Sequence, residues 1–323
     1  MPAMHRLRLL RSRKRRLARL ARRRSICPMK VFLTGGTGTI GRAVLARLVA
    51  RGHRVTALAR SPEAGARLRA AGAQAWSGDL RAPREWLDQA LASDCFVHLA
   101  NSFDAEGRTA ERKLVAALID APYGTTPFHF VYTGGIWLYP PTRGTPLREA
   151  TAYSPLPAFA HVVHAIRSLA ASRHLALSVI HPALVCARDG GPVADMRMAA
   201  EGGRPFVTRA ERDTLWPLVD AEDLADLYVR AVEARSYRLT AIGCGVEAAS
   251  VGNLMDLVSD GLGLRLDLAH DEAPPDLAAD LDVAAGYARS QVASGDGARR
   301  LLGWSPEVTT PEALVGRLFP IGA

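Results

Sequence analysis

Lysine is nearly missing from this chain. Only Lys14, Lys30 and Lys113 occur among 323 residues, so each of the seven tyrosines lies beyond the last lysine. Cysteine is equally sparse. Cys27, Cys95, Cys186 and Cys244 stand far apart and form no C-x-x-C pair, which excludes a disulfide scaffold and a thiolate zinc site and fits a reducing cytoplasm. No H-E-x-x-H and no cysteine–histidine cluster at ligand spacing is present, so no metal site is expected. No G-x-S-x-G elbow occurs, which argues against an α/β-hydrolase. No run of about 18 apolar residues exists, so neither a membrane span nor a membrane partner is expected. Acidic residues are absent from residues 1–28, where eleven arginines and lysines gather.

That leader produces the formal net charge of +9. Without it the chain is nearly neutral, and nothing in the folded part points to a nucleic-acid partner. The leader itself has three readings: a basic arm for nucleic acid or anionic lipid, an Arg-rich targeting peptide, or an upstream extension without function. Met29 directly precedes the first predicted strand, and the scarcity of lysine against arginine fits GC-rich coding, so the last reading is preferred. No apolar stretch follows the arginines as a secretory signal requires. The whole chain has a hydrophobic fraction of 48% and a charged fraction of 23% and reads as one large or two joined globular domains.

From Lys30 onward, strand and helix patterns alternate. KVFLT (30–34) is a short apolar run bounded by glycines. Residues 39–51 repeat apolar positions at helical spacing and stop at Gly52. Strands are predicted at 53–60, 73–79, 94–100, 128–133 and 175–182. Helices are predicted at 62–72, near 83–91, at 105–120 and near 157–173. This alternation predicts an α/β fold with a doubly wound parallel sheet covered on both faces. The rhythm breaks after residue 182. The expected organisation is therefore a leader (1–28), a dinucleotide-binding domain (29–182), and a smaller, mostly helical substrate cap (183–323) that interleaves with the sheet.

The strongest signal is TGGTGTIG, Thr34 to Gly41. It follows a strand and opens a helix. Gly35, Gly36, Gly38 and Gly41, with Thr37, Thr39 and Ile40, can bring backbone N–H groups against a pyrophosphate. An acid that would hold the ribose hydroxyls is expected at the end of the second strand. Ala59 stands there instead, followed by Arg60, which can pair with a 2′-phosphate, so NADP(H) is preferred over NAD.

These residues resemble the short-chain dehydrogenase/reductase superfamily, and most closely its extended and atypical branch, the NAD(P)-dependent epimerase/dehydratase and NmrA-like proteins. The resemblance spans roughly residues 30–308. It is carried by TGGTGTIG, SGDL (77–80), VHLAN (97–101), VYTGGIWLYP (131–140), WPLVDAEDLADLYV (216–229) and LLGWSP (301–306). It implies a Rossmann domain with a C-terminal substrate domain. It also implies that Asp79 and Leu80 lie at the adenine, that Leu99, Ala100 and Asn101 line the ribose, and that a homodimer can form. The family's hydride chemistry uses a Ser/Thr and a Tyr-x-x-x-Lys. Matched by spacing, the Ser, Tyr and Lys places fall on Gly135, Phe159 and Val163. Substitute proton donors are Thr133, Tyr153, and the histidines His161 and His164, which are spaced i, i+3 on one predicted helix.

Three functions follow as expectations. The first is NADPH-dependent reduction or epimerisation of a small organic molecule with a non-standard acid. The second is a non-redox dehydration, cyclisation or isomerisation in which the nucleotide serves only as scaffold. The third is a non-enzymatic NADP sensor.

Overall fold

The computed structural model describes residues 27–320. All but the last two residues of the basic leader lie outside this range. The first strand, β1 (Lys30–Thr34), has four of its five residues buried. Helix α1 (Thr39–Ala50) follows the glycine loop, and β2 (Arg54–Ala59) returns alongside β1 in parallel register. Helix α2 (Pro62–Ala70) starts cleanly because Pro62 sits in its first turn and the Ser61 side chain accepts from Ala64 N. Strand β3 (Gln74–Ser77) completes the first half.

The helix expected near 83–91 is split. A 3₁₀ turn at Pro83–Glu85 precedes a short α3 (Leu87–Leu91), and Trp86 stands between them. Trp86 is drawn inward: its ring stacks on Phe32, and its Nε1 donates to Asp79 O at 2.8 Å. Strand β4 (Cys95–His98), helix α4 (Ala105–Asp120), strand β5 (Phe128–Thr133), helix α5 (Ala160–Ala171) and strand β6 (Leu175–Pro182) repeat the crossover pattern. All eight residues of β6 are buried, as a strand covered on both faces requires.

After β6 the chain leaves the sheet through β7 (Leu184–Cys186), α6 (Pro192–Glu201), β8 (Phe206–Thr208) and β9 (Leu215–Asp220). It then returns. Helix α7 (Ala221–Ala234) is capped by Asp220, whose carboxylate accepts from Glu222 N and Asp223 N. It leads to β10 (Arg238–Gly243), which pairs with β6. The main sheet thus has seven parallel strands in the order β3-β2-β1-β4-β5-β6-β10. Strand order reverses between β1 and β4, and the crevice above that point is where open α/β sheets bind ligands.

The remaining elements are β11 (Val246–Ser250), α8 (Val251–Leu262), β12 (Leu268–His270), α9 (Asp296–Leu302) and α10 (Pro311–Leu318). The C-terminal region carries more helix than strand, and it also holds two small sheets, β11-β9-β7 and β12-β8. Its own apolar core gathers residues such as Trp216, Met255 and Leu314, whereas Leu224, Tyr228 and Ile242 belong to the core of the main sheet. Among the described residues no helix is long and apolar enough to cross a membrane.

Candidate active site

The glycine loop is shaped by close backbone approaches. Gly35 has φ +75°, and a Cβ on it would lie 2.7 Å from Ala100 N. A Cβ on Gly41 would lie 2.0 Å from Gly35 O, so only glycine lets α1 begin this close beneath the loop. Gly36 is buried, and its missing Cβ leaves room for Leu68. Gly38 N donates to Gly35 O at 3.0 Å and closes the turn. Helix α1 then starts with no side-chain cap and no acid in its first turn. Its first amides and the positive end of its dipole are therefore free to hold an anion. This cradle fits a dinucleotide pyrophosphate.

A cavity of about 430 Å³ runs from the loop across the C-terminal ends of β1, β2 and β4. It brings together Gly35, Thr37, Gly38, Arg60, Asp79, Leu80, Leu99, Ala100 and Asn101. Arg60 and Arg67 both line it, and among the described residues neither has an acidic partner within ion-pair distance. Asp79 is already engaged: Arg81 Nη2 lies 2.7 Å from its Oδ2, and this bond holds the carboxyl below the ordinary range. Thr39 sits outside this cavity, against Gly190 of the turn that follows β7.

A second cavity of about 200 Å³ continues from the first and shares His98, Leu99, Ala100, Asn101 and Glu111 with it. Ile40 and Thr133 line this inner end. Thr133 Oγ1 donates to His98 O at 2.8 Å and lies 2.8 Å from the Tyr228 hydroxyl. Phe159 is part of the cavity wall, and Val163 is only 4% exposed in the core.

The other suggested proton donors are scattered. Tyr153 lies behind the wall, with its hydroxyl 3.2 Å from His181 Nε2, and burial raises its pKa. His181 is fully buried and pushed down to about 4. His164 is exposed on the outer side of α5. His161 turns the other way: both its ring nitrogens are buried without a hydrogen-bond partner. Burial lowers its pKa, and the negative charge of Glu111 opposes that shift.

One group of residues was not anticipated. His98 Nδ1 lies 2.7 Å from Thr34 Oγ1, and His98 Nε2 lies 3.0 Å from Glu111 Oε2. The Tyr132 hydroxyl donates to Glu111 Oε1 at 2.6 Å. Burial pushes the Glu111 carboxyl up, but His98 and Tyr132 together pull it below its ordinary value, so it is held as an anion. The visible signal was a glutamate inside the apolar stripe of α4, between Ala110 and Leu114.

Comparison with known proteins agrees with this architecture. MoeE5, solved with UDP-glucose and NAD, superposes with a TM-score of 0.73 at 20% identity, covering 90% of this chain and 97% of that one. UDP-glucose 4-epimerase of Thermus thermophilus, solved with NAD, gives 0.71 at 19% identity, covering 91% and 100%. Among curated proteins, a Stigmatella aurantiaca ketoreductase acting on a farnesylated dihydroquinoline oxide is 44% identical over 84 residues, 26% of this chain and 25% of that protein. An uncharacterised protein of Saccharomyces cerevisiae is 35% identical over 113 residues, 33% of this chain and 38% of its own length, so the matched stretch spans well under half of either relative. An uncharacterised protein of Schizosaccharomyces pombe is 27% identical over 251 residues, 74% of this chain and 81% of that protein. Residues 31–243 match the family profile itself, and with the glycine cradle and the seven-stranded sheet this places the chain in the NAD dependent epimerase/dehydratase family.

Proposed function

We propose that this chain is an NADPH-preferring reductase of a small organic carbonyl compound. The observation that carries the reading is the continuity of the groove. A cradle built for a pyrophosphate opens, through Leu99, Ala100 and Asn101, into a separate cavity floored by a hydroxyl, that of Thr133. The partial match to a ketoreductase supports carbonyl chemistry. The preference for NADPH rests on Arg60 and Arg67, two cations without acidic partners where the adenosine ribose would lie, and on the absence of an acid at Ala59.

A dihydronicotinamide held by the glycine cradle would supply a hydride to a carbonyl carbon, and the carbonyl oxygen would need a proton from the protein. The protein positions the oxygen and provides that proton. Thr133 would orient the oxygen by turning its one proton from His98 O toward it, with the Tyr228 hydroxyl then able to donate to Thr133 Oγ1. His161, on α5 beside the wall residues Phe159 and Val162, is the proton source in its charged form, and because burial lowers its pKa, turnover should rise as pH falls below neutral. Its ring has no side-chain hydrogen-bond partner and feels the Glu111 charge, which distinguishes it from Tyr153, whose hydroxyl is paired with His181, and from His164, which faces solvent.

The test is NADPH oxidation at pH 7 with a set of aromatic and aliphatic ketones and aldehydes. Turnover is expected, and His161→Ala should lower kcat tenfold or more while leaving NADPH affinity unchanged, about 1.4 kcal/mol in the barrier. Retained kcat in that variant removes His161 from its role. One observation favours a second reading. With Phe159 and Val163 in place of the family's tyrosine and lysine, the nucleotide could be held without being consumed, as in a non-redox enzyme or a sensor. Tight NADPH binding with no oxidation by any carbonyl would favour it.

A further inference from the structure

We infer that the inner cavity takes an uncharged compound bearing an aromatic ring, not a nucleotide-sugar. This rests on the reductase reading for its location in the groove, but on separate observations for its chemistry. Among the described residues no arginine or lysine lines the cavity. Its one charged carboxylate, Glu111, is already bonded to His98 and Tyr132. A diphosphate would have to shed its water there without any cation to replace it, which costs far more than the burial returns.

Three arginines outside the lining are engaged elsewhere. Arg289 Nη1 donates to Tyr139 O at 2.6 Å and to Ser154 O at 2.9 Å, so it pins the loop behind Trp137. Arg108 pairs with Asp280 at 2.8 Å. Arg209 is held between Asp271 and Asp282. The outer cavity, by contrast, is lined by three arginines, Arg60, Arg67 and Arg81. Charge recognition is thus confined to one end of the groove.

What lines the inner end is aromatic. Trp137 meets Phe159 edge to face at 5.6 Å between ring centres, and Phe159 meets Phe103 at 6.0 Å. Phe103 is 54% exposed, and its φ of +56° is rarely adopted by a bulky side chain. A large apolar ring held at a cavity mouth in a strained conformation is a contact waiting for a flat apolar partner. The cavity of about 200 Å³ suits a compound of one or two fused rings.

The test is calorimetric titration of the full chain with 1-indanone and with UDP-glucose, each with and without saturating NADP⁺. 1-Indanone is expected to bind at least tenfold more tightly than UDP-glucose. Phe103→Ser should weaken 1-indanone fivefold or more and leave the NADP⁺ dissociation constant unchanged. With NADP⁺ filling the outer cradle, UDP-glucose binding as tightly as the ketone, or more so, would overturn the inference, as would a ketone that shows no binding heat at either of two temperatures. A protein that binds 1-indanone but never oxidises NADPH keeps this substrate class and loses the reductase reading, so the two fail separately.

Discussion

The two ends of the groove are built on different principles. The outer end uses backbone: the turn of Gly35, the tight start of α1 at Gly41 and the free amides behind Gly38. The inner end uses side chains: Thr133, the His98–Glu111–Tyr132 network, and an aromatic wall that includes Phe159. Backbone recognition tolerates little change, because one added methyl closes it. Side-chain recognition can be rewritten while the frame stays intact. On the proposed reading, the nucleotide end therefore depends on the frame itself, and the reaction end on replaceable side chains.

The largest expected effect lies at the backbone end. Gly41→Ala places a methyl against Gly35 O and should weaken NADPH binding at least 100-fold, about 2.7 kcal/mol. A circular dichroism spectrum matching wild type would show that the sheet survives. Binding within threefold of wild type would mean that the loop can shift, and the contrast between the ends would be lost.

Acid should act on the inner end. His181 packs under Gly134 and accepts from Gly135 N at the cavity floor, whereas His129 lies buried at the opposite end of β5 and contributes to the stability of the sheet as a whole. Both are pushed from 6.5 down to about 4 by burial. The native state therefore holds these rings neutral, and the unfolded chain takes up protons first as pH falls. Stability should be full above about pH 6.5 and fall toward pH 4, by about 3 kcal/mol for each ring at 1.36 kcal/mol per unit. Glu111, held below its ordinary value, adds a loss in the same direction at lower pH. Urea midpoints at pH 7 and pH 4.5 measure this, and equal midpoints would contradict it.

A smaller effect sharpens the outer end. Arg60 is exposed, so its ion pair with a 2′-phosphate is partly screened by solvent. Arg60→Ala should reduce the preference for NADPH over NADH about tenfold, near 1.4 kcal/mol, through weaker NADPH binding alone. An unchanged preference in fluorescence titrations would shift the role to Arg67.

The contrast also explains what could be read from sequence. The strands at 30–34, 128–133 and 175–182, the long helix at 105–120 and the cap at Asp220 are local patterns, and the structure has them at those positions. The glycine loop was legible for the same reason: its spacing alone dictates a turn that only glycine permits. The return of β10 to the far edge of the sheet was hidden, because the chain runs through β7, β8 and β9 before coming back. The helix positions of His161 and His164 showed a shared face. Residues three apart still differ by about 60° around a helix. That was enough to turn one ring inward toward Glu111 and the other to solvent. The pairing of His98 with Glu111 joins a strand end to a helix that packs over it, a contact that no spacing rule encodes.

The most direct measurement is a fluorescence titration of the purified chain with NADPH and, separately, with NADH. The account predicts saturable binding of both, with NADPH tighter by about tenfold, or 1.4 kcal/mol. Binding of neither would contradict it, because the glycine cradle would then hold no dinucleotide, and the proposed reductase would have no source of hydride.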